Sequence, residues 1–161
     1  MIYNSIDTKL ITLGEPKKFN DTEDKWITPL FYNGGSFNFS LKNKYIEINK
    51  IEENFYGKDF ITIKSKEYNE IIEKIIKHLN VVNPIQADGT FRATLNSKTK
   101  INHELEKIKD KNFEGCISLS FPTTYSDETK KTLQIYVKDI FITKVLDEDL
   151  EVELDKLEKA M

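Results

Sequence analysis

The sequence predicts a mainly β protein of the α+β class: a small barrel with one inserted helix and an acidic helix at the C-terminus. Short runs of alternating apolar and polar residues recur along the chain, as half-buried strands require. One segment between strands switches clearly to a period of 3.6 residues, the spacing of one helix face. The last fifteen residues combine leucines at helical spacing with a net charge of −5.

In chain order, Lys9 to Leu13 reads as a short strand. Trp26 to Tyr32 and Ser36 to Leu41 flank Asn33-Gly34-Gly35, which predicts a β-hairpin because Asn-Gly accepts the positive φ angles of a tight turn. Pro29 cannot donate to a ladder and places the first arm at an edge or bulge. Phe37, Phe39 and Leu41 share one face of the second arm. Tyr45 to Ile51 and Phe60 to Lys64 are further strands. Tyr68, Ile71, Ile72, Ile75, Ile76 and Leu79 then form one helical stripe, with Ser65 as N-cap, so a helix is expected from Lys66 to Asn80. Asn83-Pro84 closes that segment.

After the Asp88-Gly89 turn, Thr90 to Asn96 is a strand and Asn102 to Lys111 a short helix. Gly115 to Phe121 is a strand, and Pro122 to Lys131 reads as a polar loop. Thr132 to Val145 is one long strand or two, with a phase slip at Asp139 that predicts a bulge. Strands with a helix inserted among them fit an OB-like barrel, and equally several α+β sandwiches. Residues 1–146 are therefore expected to form one β-rich, OB-like domain, and residues 147–161 an acidic amphipathic helix or tail.

The chain has 161 residues and a formal charge of −3, which suits one domain. The charge is uneven. With −5 in Asp147 to Met161, residues 1–146 carry +2. No apolar run has the ~18 residues of a membrane span, and the N-terminus lacks the blocks of a signal peptide. Cys116 is the one cysteine, which excludes an internal disulfide. An intracellular location is expected, and no membrane partner. Arg92 is the one arginine beside 23 lysines, so lysine serves here as a default surface residue.

Catalytic groups are few. His78 sits near a helix C-terminus, where the dipole favours it. His103 has no partner in sequence, and Cys116 alternates on a strand with no Cys-His signature around it. No phosphate-cradling glycine motif occurs. No enzyme activity, cofactor or metal is expected. Aromatic residues interleaved with lysines on strands are the stronger signal, because rings stack on bases and lysines neutralise phosphates. The same rings at period two serve a core, and Phe37, Phe39, Phe91 and Phe121 are read that way. Tyrosines and tryptophan, with a polar handle, suit an exposed platform.

Trp26-Ile27-Thr28-Pro29-Leu30-Phe31-Tyr32-Asn33-Gly34-Gly35-Ser36-Phe37 resembles the early hairpin of single-stranded DNA-binding proteins from large DNA viruses and phages. Phe91 to Leu95, Ile117 to Phe121 and Leu133 to Val137 resemble their later strands, and the acidic terminus resembles their tail. The resemblance implies an OB-fold that coats single strands during replication, recombination or repair, in the cytoplasm or at a site of viral replication in an infected cell. The terminus here lacks the final aromatic of some phage members.

The expected function is sequence-independent binding of single-stranded DNA, with RNA as the alternative ligand. Trp26, Tyr32, Tyr45 and Tyr136 would stack on bases. Lys42, Lys44, Arg92, Lys98, Lys100 and Lys138 would hold phosphates. Residues 147–161 would serve self-association or replication proteins. The other expectation is a viral structural or protein-interaction module, an assembly component or host-factor inhibitor, that uses the same acidic segment.

Overall fold

The structure, a computed structural model, describes residues 2–19, 24–41 and 43–146. First come β1 (Ile11–Leu13), β2 (Lys17–Lys18) and β3 (Trp26–Tyr32). Then follow β4 (Asn38–Phe39), β5 (Ile46–Ile48), β6 (Glu52–Glu53) and β7 (Asp59–Lys64). Helix α1 (Lys66–Leu79) precedes β8 (Thr90–Thr94) and β9 (Lys100–Ile101). A single turn of helix, α2 (Leu105–Ile108), leads to β10 (Phe113–Ser120), β11 (Thr123–Ser126), β12 (Lys131–Leu133) and β13 (Tyr136–Val145).

The mainly β class is as expected, but the strands pair into two sheets and close no barrel among the described residues. The smaller sheet has the order β1-β3-β11-β12, with β2 also on β3. The larger runs β4-β10-β13-β8-β7-β6, with β5 on β10 and β9 on β13. β13 is its spine, antiparallel to β10 and parallel to β8 and β9. The buried side chains of both sheets and of α1 form one cluster. Among the described residues no helix is long and apolar enough to cross a membrane.

The Asn33-Gly34 turn forms as its chemistry demands. Asn33 and Gly34 have φ of 50° and 78°, and Tyr32 and Gly35 exchange both backbone hydrogen bonds. The expected hairpin, however, is a correction. Its arms part after one bridge, β3 staying in the small sheet and β4 joining β10 in the large one. The reason is occupancy: β1 and β11 take the two edges of β3, and burial of Phe37 and Phe39 pulls the second arm into the core. Another correction concerns Pro122 to Lys131, expected as a loop, which contains β11. Its threonines and Tyr125 favour a strand once β3 and β12 are there to pair with it.

α1 follows its stripe. The Ser65 hydroxyl accepts the Tyr68 N–H at 3.3 Å, and Asn80 ends the helix in the left-handed region at φ 55°. Tyr68, Ile72, Ile75 and Ile76 are buried. The expected phase slip is also present. Ser118 pairs with Asp139 and Leu119 with Val137, so Lys138 is the extra residue of a β-bulge. The expected C-terminal helix, residues 147–161, lies outside the described residues, as does Lys42.

Candidate nucleic-acid interface

The chain crosses between the sheets three times: from β3 to β4, from β10 to β11, and from β12 to β13. Strands cannot continue a ladder where they change sheets, so a gap opens at these crossings. It is a cleft of about 430 Å³, with Phe31, Ser36, Asn38, Ser120, Lys98 and Lys138 among its lining residues. Leu30, Phe37, Pro122 and Val137 form its apolar part. Among the described residues no carboxylate lines it.

Local structure positions each lysine. Lys98 belongs to the turn Asn96–Thr99, in which the Asn96 Oδ1 accepts the Lys98 N–H at 2.9 Å and the Thr99 N–H reaches the Asn96 carbonyl at 3.1 Å. The Thr99 hydroxyl donates to the Val137 carbonyl at 2.7 Å and fastens this turn to β13. Lys138 follows Val137, at the bulge, where the extra residue turns its side chain out of the ladder register. Phe31 is opposite in phase to buried Leu30 and Tyr32 on β3 and is 39% exposed. Gly14 lies against the ring; a Cβ there would stand 3.0 Å from it.

The expected site residues are otherwise scattered. Tyr32 is 3% exposed and is a core residue, a correction. Its ring stacks on Phe37 at 5.1 Å and its hydroxyl accepts the Asp7 N–H at 2.8 Å. Trp26 is half-buried at the far end of β3, with the Lys18 ammonium 5.7 Å from its ring centroid. Tyr136 is half-buried at the start of β13. Tyr45 is 54% exposed, but it borders a separate groove with Lys44 and Glu67. Lys44 is paired with Glu67 at 3.1 Å. The backbone, then the Lys44 ammonium, hold the Glu67 carboxyl below its ordinary pKa. Arg92 lies over the Phe60 ring at 4.6 Å, and Lys100 is exposed on β9.

Of the ten residues, then, the structure brings Lys98 and Lys138 together in one cleft. It adds Phe31, which sequence reasoning passed over. The signal was present, since Phe31 is the one aromatic of β3 out of phase with Leu30 and Tyr32. The outer face of the small sheet adds Phe19, edge-to-face on Tyr125 at 5.8 Å. Phe37, Phe39, Phe91 and Phe121 are buried.

These features define a two-sheet, mainly β protein with a lysine-bearing, partly aromatic cleft where the sheets meet. The chain belongs to DUF5482, a family of unknown function, whose model matches residues 1–161. It is 51% identical over 161 residues, all of both chains, to the uncharacterized killer plasmid pGKl-2 protein 5 of Kluyveromyces lactis. No solved structure matches it.

Proposed function

We propose that this protein binds single-stranded DNA without sequence preference and coats single strands during replication, recombination or repair. The observation that carries the reading is the cleft between the sheets, with two lysines, an exposed ring and, among the described residues, no carboxylate. A single strand carries regularly spaced negative charge and unstacked bases. Lys98 and Lys138 neutralise phosphates, and Phe31 stacks on a base, a contact of about 1–3 kcal/mol. Neither contact reads base identity, which is why the binding is independent of sequence. The inserted α1 and the β-rich body belong to the same reading as an OB-like arrangement adapted to two sheets. The relative's name places that protein with a killer plasmid, and any DNA that is copied exposes single strands.

The test is a fluorescence titration with oligo-dT, with oligo-U alongside to compare DNA and RNA. Two phosphate contacts predict a slope of log K against log salt of about −1.4, at about −0.7 for each contact on a single strand. Replacing both Lys98 and Lys138 by alanine flattens that slope. No binding at low salt, where such contacts are strongest, overturns the reading.

The net charge of −5 in residues 147–161 supports the second reading, an assembly or interaction module that uses this segment. Light scattering of the chain with and without it separates the two. Loss of oligomers with unchanged oligo-dT affinity assigns association to the segment.

A further inference from the structure

The turn joining β6 to β7 carries Phe55 and Tyr56, 97% and 83% exposed, edge-to-face at 5.6 Å. Keeping two rings in water is unfavourable in proportion to their apolar area. This turn does not fold them away, because it is closed by its own hydrogen bonds. The Asn54 Oδ1 accepts the N–H of Tyr56 at 2.9 Å and of Lys58 at 3.0 Å. The Asn54 N–H donates to the Lys58 carbonyl at 2.8 Å, and the Gly57 N–H to the Asn54 carbonyl at 3.0 Å. Gly57 has φ 77°, a conformation glycine enters without steric penalty. The rings are thus presented by a formed turn.

Their place relative to the first cleft gives them a role. Gly57 and Lys58 line a second cleft of about 520 Å³, together with Asn96, Ser97 and Thr99. Asn96 lines the first cleft as well. The two clefts therefore flank one turn, Asn96–Thr99, which carries Lys98. Asp59 is the carboxylate lining the second cleft, and it is paired with Lys109 at 3.0 Å. Glu52, Glu53 and Asp59 outweigh Lys58 across residues 52–59, so the hairpin end is net acidic. A contact at its tip is with bases, not phosphates.

We propose that Phe55 and Tyr56 form a second base-stacking site, which takes the stretch of single strand that leaves the first cleft and passes over the Asn96–Thr99 turn. The inference rests on the single-strand reading above. Stacking without added positive charge raises affinity without changing the salt slope.

The experiment uses the full chain, its Phe55→Ala/Tyr56→Ala double variant and a Phe55→Trp variant. The probes are oligo-dT strands of about 5 and about 15 nucleotides, bracketing the length that one small domain covers. The double-alanine variant should bind the longer strand roughly 10-fold or more weakly. It should keep the wild-type salt slope and wild-type affinity for the shorter strand. Tryptophan at position 55 should retain the longer-strand affinity. Unchanged affinity of the double variant for the longer strand overturns the second site, while short-strand binding by the wild type preserves the first cleft. A change in oligomeric state with unchanged DNA affinity also overturns it, in favour of a contact with a second copy. Failure of the wild type to bind either length removes the cleft reading itself.

Discussion

Tyr68 ties three elements together with one hydroxyl. The group accepts the Leu41 N–H at 3.0 Å and donates to the Ile117 carbonyl at 2.9 Å, while its ring meets Phe39 edge-to-face at 5.9 Å. Burial raises its pKa above the ordinary tyrosine value. The folded state holds the proton more tightly, so this contribution is intact below pH ~10 and is lost as pH rises through the raised value. Tyr68→Phe should destabilise by about 1–3 kcal/mol, because the half-buried Leu41 N–H loses its partner, while the Ile117 carbonyl keeps the Ser40 hydroxyl at 2.8 Å. A thermal melt checks the loss, and an alkaline titration should show a weaker pH dependence in the variant. Gly115 is constrained differently: a Cβ there would collide with the Phe141 carbonyl oxygen and crowd the Ile142 Cα. Gly115→Ala should force β10 and β13 apart at their register shift, at a cost of about 3 kcal/mol or more in urea unfolding. At this scale the cleft was half legible. Lys98 and Lys138 stood out as basic residues beside strands, and burial of Tyr32 was masked because a tyrosine suits a wet platform and a core equally well.

At the scale of elements, local chemistry marks the starts and stops. Ser65→Ala removes the cap of α1 and should cost about 1 kcal/mol, read as a lowered melting temperature. The turn from β11 to β12 depends on Asp127. Its carboxylate accepts the backbone N–H groups of Thr129 and Lys130 and the Thr129 hydroxyl. Those hydrogen bonds, that of Thr129 foremost, lower its pKa. The depressed value means the turn is supported above the ordinary carboxylate range and weakened as pH falls through the lowered pKa. Asp127→Asn should flatten the fall of melting temperature between about pH 5 and pH 2. Such features were readable because they depend on neighbours in sequence. The helix stripe, its cap, the Asn33-Gly34 turn and the bulge beside Asp139 all are of this kind. Pairing is not. Nothing within Trp26 to Leu41 announces that β1 and β11 will occupy both edges of β3, so a sound turn suggested a hairpin whose arms in fact separate. β11 was hidden for the same reason, since its partners lie on either side of it.

At the scale of the molecule, charge and apolar surface are segregated. The chain carries −3 overall but concentrates −5 in its last fifteen residues, and among the described residues the cleft between the sheets has lysines without carboxylates. Electrostatic attraction should therefore be modest and local. Raising salt from about 50 to 200 mM should weaken oligo-dT binding by roughly 7-fold, far less than for a protein with many phosphate contacts. A fall of several hundredfold would mean a larger basic footprint than Lys98 and Lys138 supply.

The position of β13 has a further consequence for how the protein is made. β10 and β8 are joined in the large sheet through β13, the last strand described. A growing polypeptide on the ribosome holds both flanking strands before residues 136–145 emerge. Until then the two halves of that sheet have no common ladder, and the rings of Phe91 and Phe113 have no finished core to enter. Completion of the large sheet is thus deferred until residues 136–145 are available, and chaperones have their longest opportunity on its two halves before then.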